Sequence, residues 1–129
     1  MRFLGKYAET LFAIMRIIAG FLYMCHGGQK LFGWFGAERA AEPLMVTAGV
    51  IEFAGGLLIL MGLFASFAAF IASGEMASAY FMVHAPHSFW PIVNHGELPV
   101  LYCFVFLYIA AHGSGRCSVD AMRRRSPAP

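Results

Sequence analysis

Charge is what this sequence has least of. Only 12% of its 129 residues are Asp, Glu, Lys or Arg, where an ordinary soluble domain carries about 25%. A soluble chain this short has too much surface and too little interior to hide a composition that is 60% hydrophobic. With a mean hydropathy of +0.67, the bilayer is the solvent that resolves the conflict. Basic clusters of the nucleic-acid-binding kind are absent too. The net charge is +2, and there is no lysine-rich arm or basic stripe with interleaved aromatics, which excludes nucleic acid as a partner. Cysteine is scarce and odd in number: Cys25, Cys103 and Cys117 form no C-x-x-C pair, so neither a disulfide framework nor a cysteine-built zinc site is indicated. No Ser-His-Asp set and no phosphate-cradling glycine loop is present, and Gly27-Gly28 is too short to act as one.

What remains is a series of apolar runs. Arg2 and Lys6 precede the first in the manner of a signal peptide, but no small-x-small cleavage pattern follows, so the segment is expected to stay as a helix. His26-Gly-Gly-Gln-Lys30 reads as its stop. Pro43 suits the first turn of a second helix. Leu44 to Val83 would make one helix roughly 60 Å long, twice the hydrocarbon thickness of about 30 Å. A turn is therefore expected at Gly62–Ser66. Trp34 and Trp90 suit interfacial belts, and Asn94 is an N-cap candidate with Glu97 in the first turn. The expectation is a single all-α membrane domain over 1–129, a bundle of four transmembrane helices at about 7–26, 44–62, 66–84 and 95–112, with a mobile tail over 116–129. Arg2, Lys6 and the arginine-rich tail place both termini in the cytoplasm under the positive-inside rule.

Depth singles out three ionisable residues. Arg16 lies about 14 Å above Tyr7, Glu52 about 12 Å below Leu44 and Glu75 about 14 Å above Ser66. Each would cost roughly 2.5 to 3.5 kcal/mol facing lipid alone, so the three are expected to meet inside the bundle. One arginine cannot neutralise two carboxylates, and the one left over is a candidate to carry a proton or dock a polar head group. The plainer alternative is a salt bridge that fixes helix register. A second cluster is expected at the outer mouth: His26, Lys30, His84, His87, His95 and Glu97. His84, His87 and His95 are the candidates for a metal, but loop histidines without a supporting Cys or Asp do not define one. Haem is disfavoured because the histidines lie at helix ends.

Several patches, in order, resemble the DoxX family of small four-helix membrane proteins. His26-Gly-Gly-Gln-Lys-Leu-Phe-Gly33 is similar to the family's H-G-x-x-K-L-F-G, and Ala48-Gly-Val-Ile-Glu-Phe-Ala-Gly-Gly56 to its A-G-x-x-E-x-x-G-G. Glu75-Met, Phe89-Trp-Pro and Asn94-His-Gly-Glu97 are similar to the third helix and the N-G-G-E after it. Gly113-Ser-Gly-Arg-Cys-Ser-Val-Asp120 is similar to the closing G-P-G-x-x-S-x-D. The chain departs from the pattern at His95 and Ser114. The resemblance spans about residues 10 to 120 and implies the cytoplasmic (inner) membrane of a bacterium or archaeon. It also implies association with quinone- or thiol-linked oxidoreductase complexes. The expected function is thus a membrane subunit of a redox complex, with membrane lipid and a redox protein as partners. Quinone is the cofactor to consider, since no cofactor motif is evident. The alternatives are a non-enzymatic scaffold or assembly factor, or a proton-coupled small-solute carrier, which would need homo-oligomers to form a pathway. Whether the chain is itself an enzyme stays open at this point, as do its substrate, electron donor and partner.

Overall fold

The computed structural model describes residues 1–125; the last four positions of the expected tail lie outside the described residues. The chain is all-α. A short turn α1 (Arg2–Gly5) leads into α2 (Ala8–Phe32), followed by a 3-10 turn at Trp34–Gly36 and then α3 (Pro43–Met61). Next come α4 (Ala65–Ala79), which runs on as a π-helical turn at Tyr80–His84, and the short α5 (Pro91–Asn94). α6 (Glu97–His112) and α7 (Val119–Arg125) complete the order. Three helices are long and apolar enough to cross a membrane: Ala8–Phe32, Pro43–Met61 and Ala65–His84. Glu97–His112 is apolar but shorter, at 16 residues.

The helices are apolar on every side, so large side chains such as Phe21, Phe67, Phe70, Leu101 and Phe104 face outward. In lipid such a surface has no reason to collapse on itself, and close packing of small residues must hold the helices together. α2 and α3 supply it with glycines seven residues apart. A Cβ on Gly20 would sit 2.6 Å from the Leu60 backbone nitrogen, and one on Gly56 2.5 Å from that of Met24. One turn-pair further on, a Cβ on Gly27 would sit 2.7 Å from the Gly49 carbonyl. α4 and α6 form the other pair, with Ala68, Ala69 and Ala72 against Phe106 and Ile109, and the Ser73 hydroxyl donating to the Cys103 carbonyl at 2.7 Å. α3 also packs on α4, while α2 and α6 meet through side chains, with Phe12 stacked on His112 and Tyr23 against Tyr102 and Phe106.

The first long helix does not stop at His26. It continues to Phe32 and ends on Gly33 in the left-handed conformation. Gly27 and Gly28 are buried packing positions against α3 and the Trp34 ring, not a breaker. Asn94 is buried but does not cap α6, whose N-cap is Gly96. Its Oδ1 accepts from Gly96 N–H, and its Nδ2 donates to the Ser88 carbonyl and to Tyr80 Oη. The α3–α4 turn falls where it was expected, at Gly62 and Phe64, both with positive φ. Residues 116–125, read from sequence as part of a mobile tail, include α7, which is hydrogen-bonded to that turn.

Candidate functional site

Both carboxylates singled out by depth open on one cavity of about 620 Å³ between the two helix pairs, at the end of the bundle away from the termini. α3 supplies Glu52, which is 2% exposed. α2 supplies Tyr23, His26 and Lys30, which fall on one face of a continuous helix by their three-, four- and seven-residue spacing. α4 supplies Glu75 and α6 supplies Tyr102. The Lys30 ammonium donates to Glu52 Oε1 at 2.5 Å. The Tyr23 hydroxyl, fully buried, donates to Glu75 Oε2 at 3.0 Å. The remaining wall is apolar, with Leu44, Ile51, Ile71, Met76, Met82 and Leu98 among its residues.

Arg16 does not belong to this site. It is fully buried, but its guanidinium donates to the carbonyls of Ile59 and Leu60 at 2.7 and 2.8 Å, and to those of Arg116 and Cys117 at 3.1 and 2.8 Å. The depth estimate failed because α2 is longer than the sequence suggested. With α2 ending at Phe32, its midpoint is Gly20, and Arg16 lies about 6 Å toward the terminal end. There it meets the last turn of α3, where helical donors run out and the Ile59 carbonyl has only the Gly62 N–H of the cap. A planar fork of donors at the negative end of a helix dipole is well matched to them.

The outer cluster is divided. His26, Lys30, His84 and His95 line the cavity; His87 and Glu97 are exposed and do not. His84 Nδ1 lies 3.0 Å from the Asn94 carbonyl, and the His26 ring meets Tyr102 edge-on. Among the described residues no three His, Cys, Asp or Glu side chains gather as metal ligands, so His84, His87 and His95 do not converge on one point.

Two features were missed by the sequence reading. Tyr23 and Tyr102 are the cavity's aromatic hydroxyls, and Tyr23 could have been found by carrying the helix through to Lys30. Glu52 Oε2 is buried without a hydrogen-bond partner among the described residues. Buried carboxylate oxygens are nearly always satisfied, so this atom has acceptor capacity that no described residue uses.

At the opposite end, Asp120 does the corresponding work for α4. Its Oδ1 accepts from Phe64 N–H at 3.1 Å and its Oδ2 from the Ser114 hydroxyl, while its own N–H donates to the Gly62 carbonyl at 3.0 Å. Burial pushes the Asp120 carboxyl up. The hydrogen bonds from Ser114, Phe64 and Ala65, with the nearby Arg123 charge, outweigh it and leave the group below the usual carboxylate range.

Comparison with known proteins shows the family of the chain. The DoxX family model matches residues 11–85, more than half of the chain and including Arg16, Lys30, Glu52 and Glu75. A Haemophilus influenzae protein described only as uncharacterized is 39% identical over 128 residues, which covers 93% of this chain and 96% of that relative. No solved structure matches the chain.

Proposed function

We propose, from the premise that this chain belongs to the DoxX family of membrane proteins, that its cavity binds the ring of a lipid-soluble quinone and that it works as the membrane subunit of a redox complex. The unpartnered Oε2 of buried Glu52, on a chamber with a polar patch and a long apolar wall, carries this reading. A quinone ring presents two carbonyl oxygens and an apolar tail. Lys30, whose ammonium has protons beyond the one given to Glu52, is a donor for the first, and the wall from Ile51 to Met82 suits the second. Full reduction of a quinone takes up two electrons and two protons. Glu52 and Glu75 are the proton carriers in this scheme, placed to deliver protons where the charge develops. The electrons come from the reduced centre of a partner protein, in line with the thiol-linked complexes expected from the resemblance.

The same reading takes α6 as a fourth crossing and puts both termini on the cytoplasmic side of a bacterial or archaeal inner membrane. Support comes from the charge asymmetry. Arg2, Lys6, Arg116 and the three arginines of α7 all sit at the terminal end, whereas Lys30 and Arg39 are the basic residues of the loop end.

The test is thermal unfolding of the detergent-purified chain with decylubiquinone, oxidised and reduced. A saturable rise in Tm with the reduced form, decylubiquinol, whose ring hydroxyls can donate to Glu52, weakened about tenfold or more in concentration by Glu52→Gln through loss of a charge-assisted hydrogen bond, is the expected result. Absence of co-purifying quinone together with no Tm response would remove the proposal. A Glu52→Gln protein that inserts and unfolds normally but no longer holds its partner proteins would favour the scaffold reading instead.

A further inference from the structure

The terminal end carries a second concavity, about 570 Å³, lined by Phe64 and Phe67 at the start of α4, by Asp120, and by Arg123 and Arg124 of α7. α7 is not a loose appendage beside it. The Asp120 contacts pin its first turn to the α3–α4 turn, Ser118 caps it by accepting from Ala121 N–H, and Arg16 holds the preceding carbonyls. Its arginines are therefore held at a fixed height on the bundle. Arg123 sits 5.0 Å over the Phe64 ring and only 4.0 Å from Asp120, whose oxygens already accept from Phe64 and Ser114. Arg124 and Arg125 are exposed, with no partner among the described residues.

We propose that this concavity binds the head group of an anionic phospholipid, with its acyl chains lying along the outer face of α4. Charge complementarity argues for the head group. Six basic residues (Arg2, Lys6, Arg116, Arg123, Arg124, Arg125) gather at this end against two acidic ones, Glu9 and Asp120, of which Glu9 lies 3.2 Å from His112. Continuity argues for a lipid over a soluble anion or an acidic protein. Phe64 and Phe67 are exposed beside the arginines, and Phe70 and Ile71 extend the same apolar exposure up α4 into the bilayer zone. A ligand that is anionic at one end and apolar from there inward is a phospholipid. Guanidinium groups match phosphate oxygens in pairs. A basic cluster directly beside a spanning helix is the usual form of an anionic-lipid contact. This site is independent of the quinone reading.

The experiment uses the full chain in dodecyl maltoside micelles, with Tm followed as phosphatidylglycerol, phosphatidylcholine or inorganic phosphate is added. Phosphatidylglycerol is expected to stabilise at low mole fraction, and the other two are not. Each arginine near an anionic surface is worth about fivefold in association, so Arg124→Gln raises the half-effect mole fraction about fivefold. The triple change Arg123→Gln/Arg124→Gln/Arg125→Gln abolishes the preference, and the corresponding lysine triple retains it. Equal stabilisation by phosphatidylcholine, an equal response to inorganic phosphate alone, or an unshifted half-effect in Arg124→Gln would each overturn the proposal. The single variant keeps the test decisive if the glutamine triple does not fold.

Discussion

The two ends of this bundle treat buried charge in opposite ways. At the terminal end, Arg16 is surrounded by four carbonyl acceptors and Asp120 by backbone and hydroxyl donors, and together they cap the last turn of α3 and the first turn of α4. At the loop end, a lysine and two glutamates face a chamber, and Glu52 Oε2 is left without a partner. A buried ionised group that meets a full complement of protein partners is part of the frame. One that meets an incomplete set beside open volume has capacity in reserve for something else. By that criterion a membrane-embedded arginine, which reads as functional from its position alone, is here a structural cap, and the glutamates at the other end are the candidate site.

Substitutions can break the contrast. The largest effect is expected at Arg16. Arg16→Leu removes the guanidinium from the Ile59, Leu60, Arg116 and Cys117 carbonyls, of which Ile59 keeps the Gly62 N–H and the others are part-buried; at about 1–3 kcal/mol for each carbonyl left unsatisfied, a drop in Tm of about ten degrees is expected on purification. Gly56→Val comes next. Its side chain would enter the Met24 and Gly20 backbones, and overpacking of this kind costs about 1–3 kcal/mol. The readout is a lowered Tm together with loss of ligand response, because Lys30 and Glu52 lie across the same seam. Asp120→Ala should cost about 1–2 kcal/mol, as removal of an N-cap does. Because folding holds the Asp120 carboxyl below its ordinary value, its contribution is complete above about pH 4. It fades as pH falls through the lower folded value, so the Tm gap between wild type and Asp120→Ala should narrow only below that pH. Smallest of all is Glu52→Gln. An amide keeps the shape and one acceptor, so a stability change of about 1 kcal/mol is expected, with the principal effect on ligand binding. If Glu52→Gln proved as damaging to folding as Arg16→Leu, the distinction between frame and site would collapse.

Much of the architecture was legible because the bilayer constrains it so strongly. A 40-residue apolar run is too long for one crossing, and it is divided into two helices by a turn at Gly62 and Phe64. Glu52 and Glu75 could be picked out by depth because a carboxylate in an apolar run has few explanations. What was not legible shared a single cause. Gly27-Gly28 carries the signature of a helix end in a soluble protein, but in a membrane the same pair is a contact surface that lets a helix continue. Shortening α2 there hid the shared face of Tyr23, His26 and Lys30 and displaced Arg16 toward the carboxylates. The partners of Arg16 were beyond any residue pattern, since backbone carbonyls carry no side-chain signature. Asp120 was hidden in a segment whose arginines and prolines suggested a free tail.

The glycine contacts between α2 and α3 have one mechanical consequence. A single close contact would leave two rods free to scissor about it, but Gly20 with Gly56 and Gly27 with Gly49 fasten the pair at two points seven residues apart. That half of the molecule is a stiff panel. α4 and α6 meet that panel through side chains, with the Tyr23 ring against Tyr102 and Phe106 and its hydroxyl on Glu75. Lys30 and Glu52 are carried on the two sides of that panel, so their pairing is set by backbone contact.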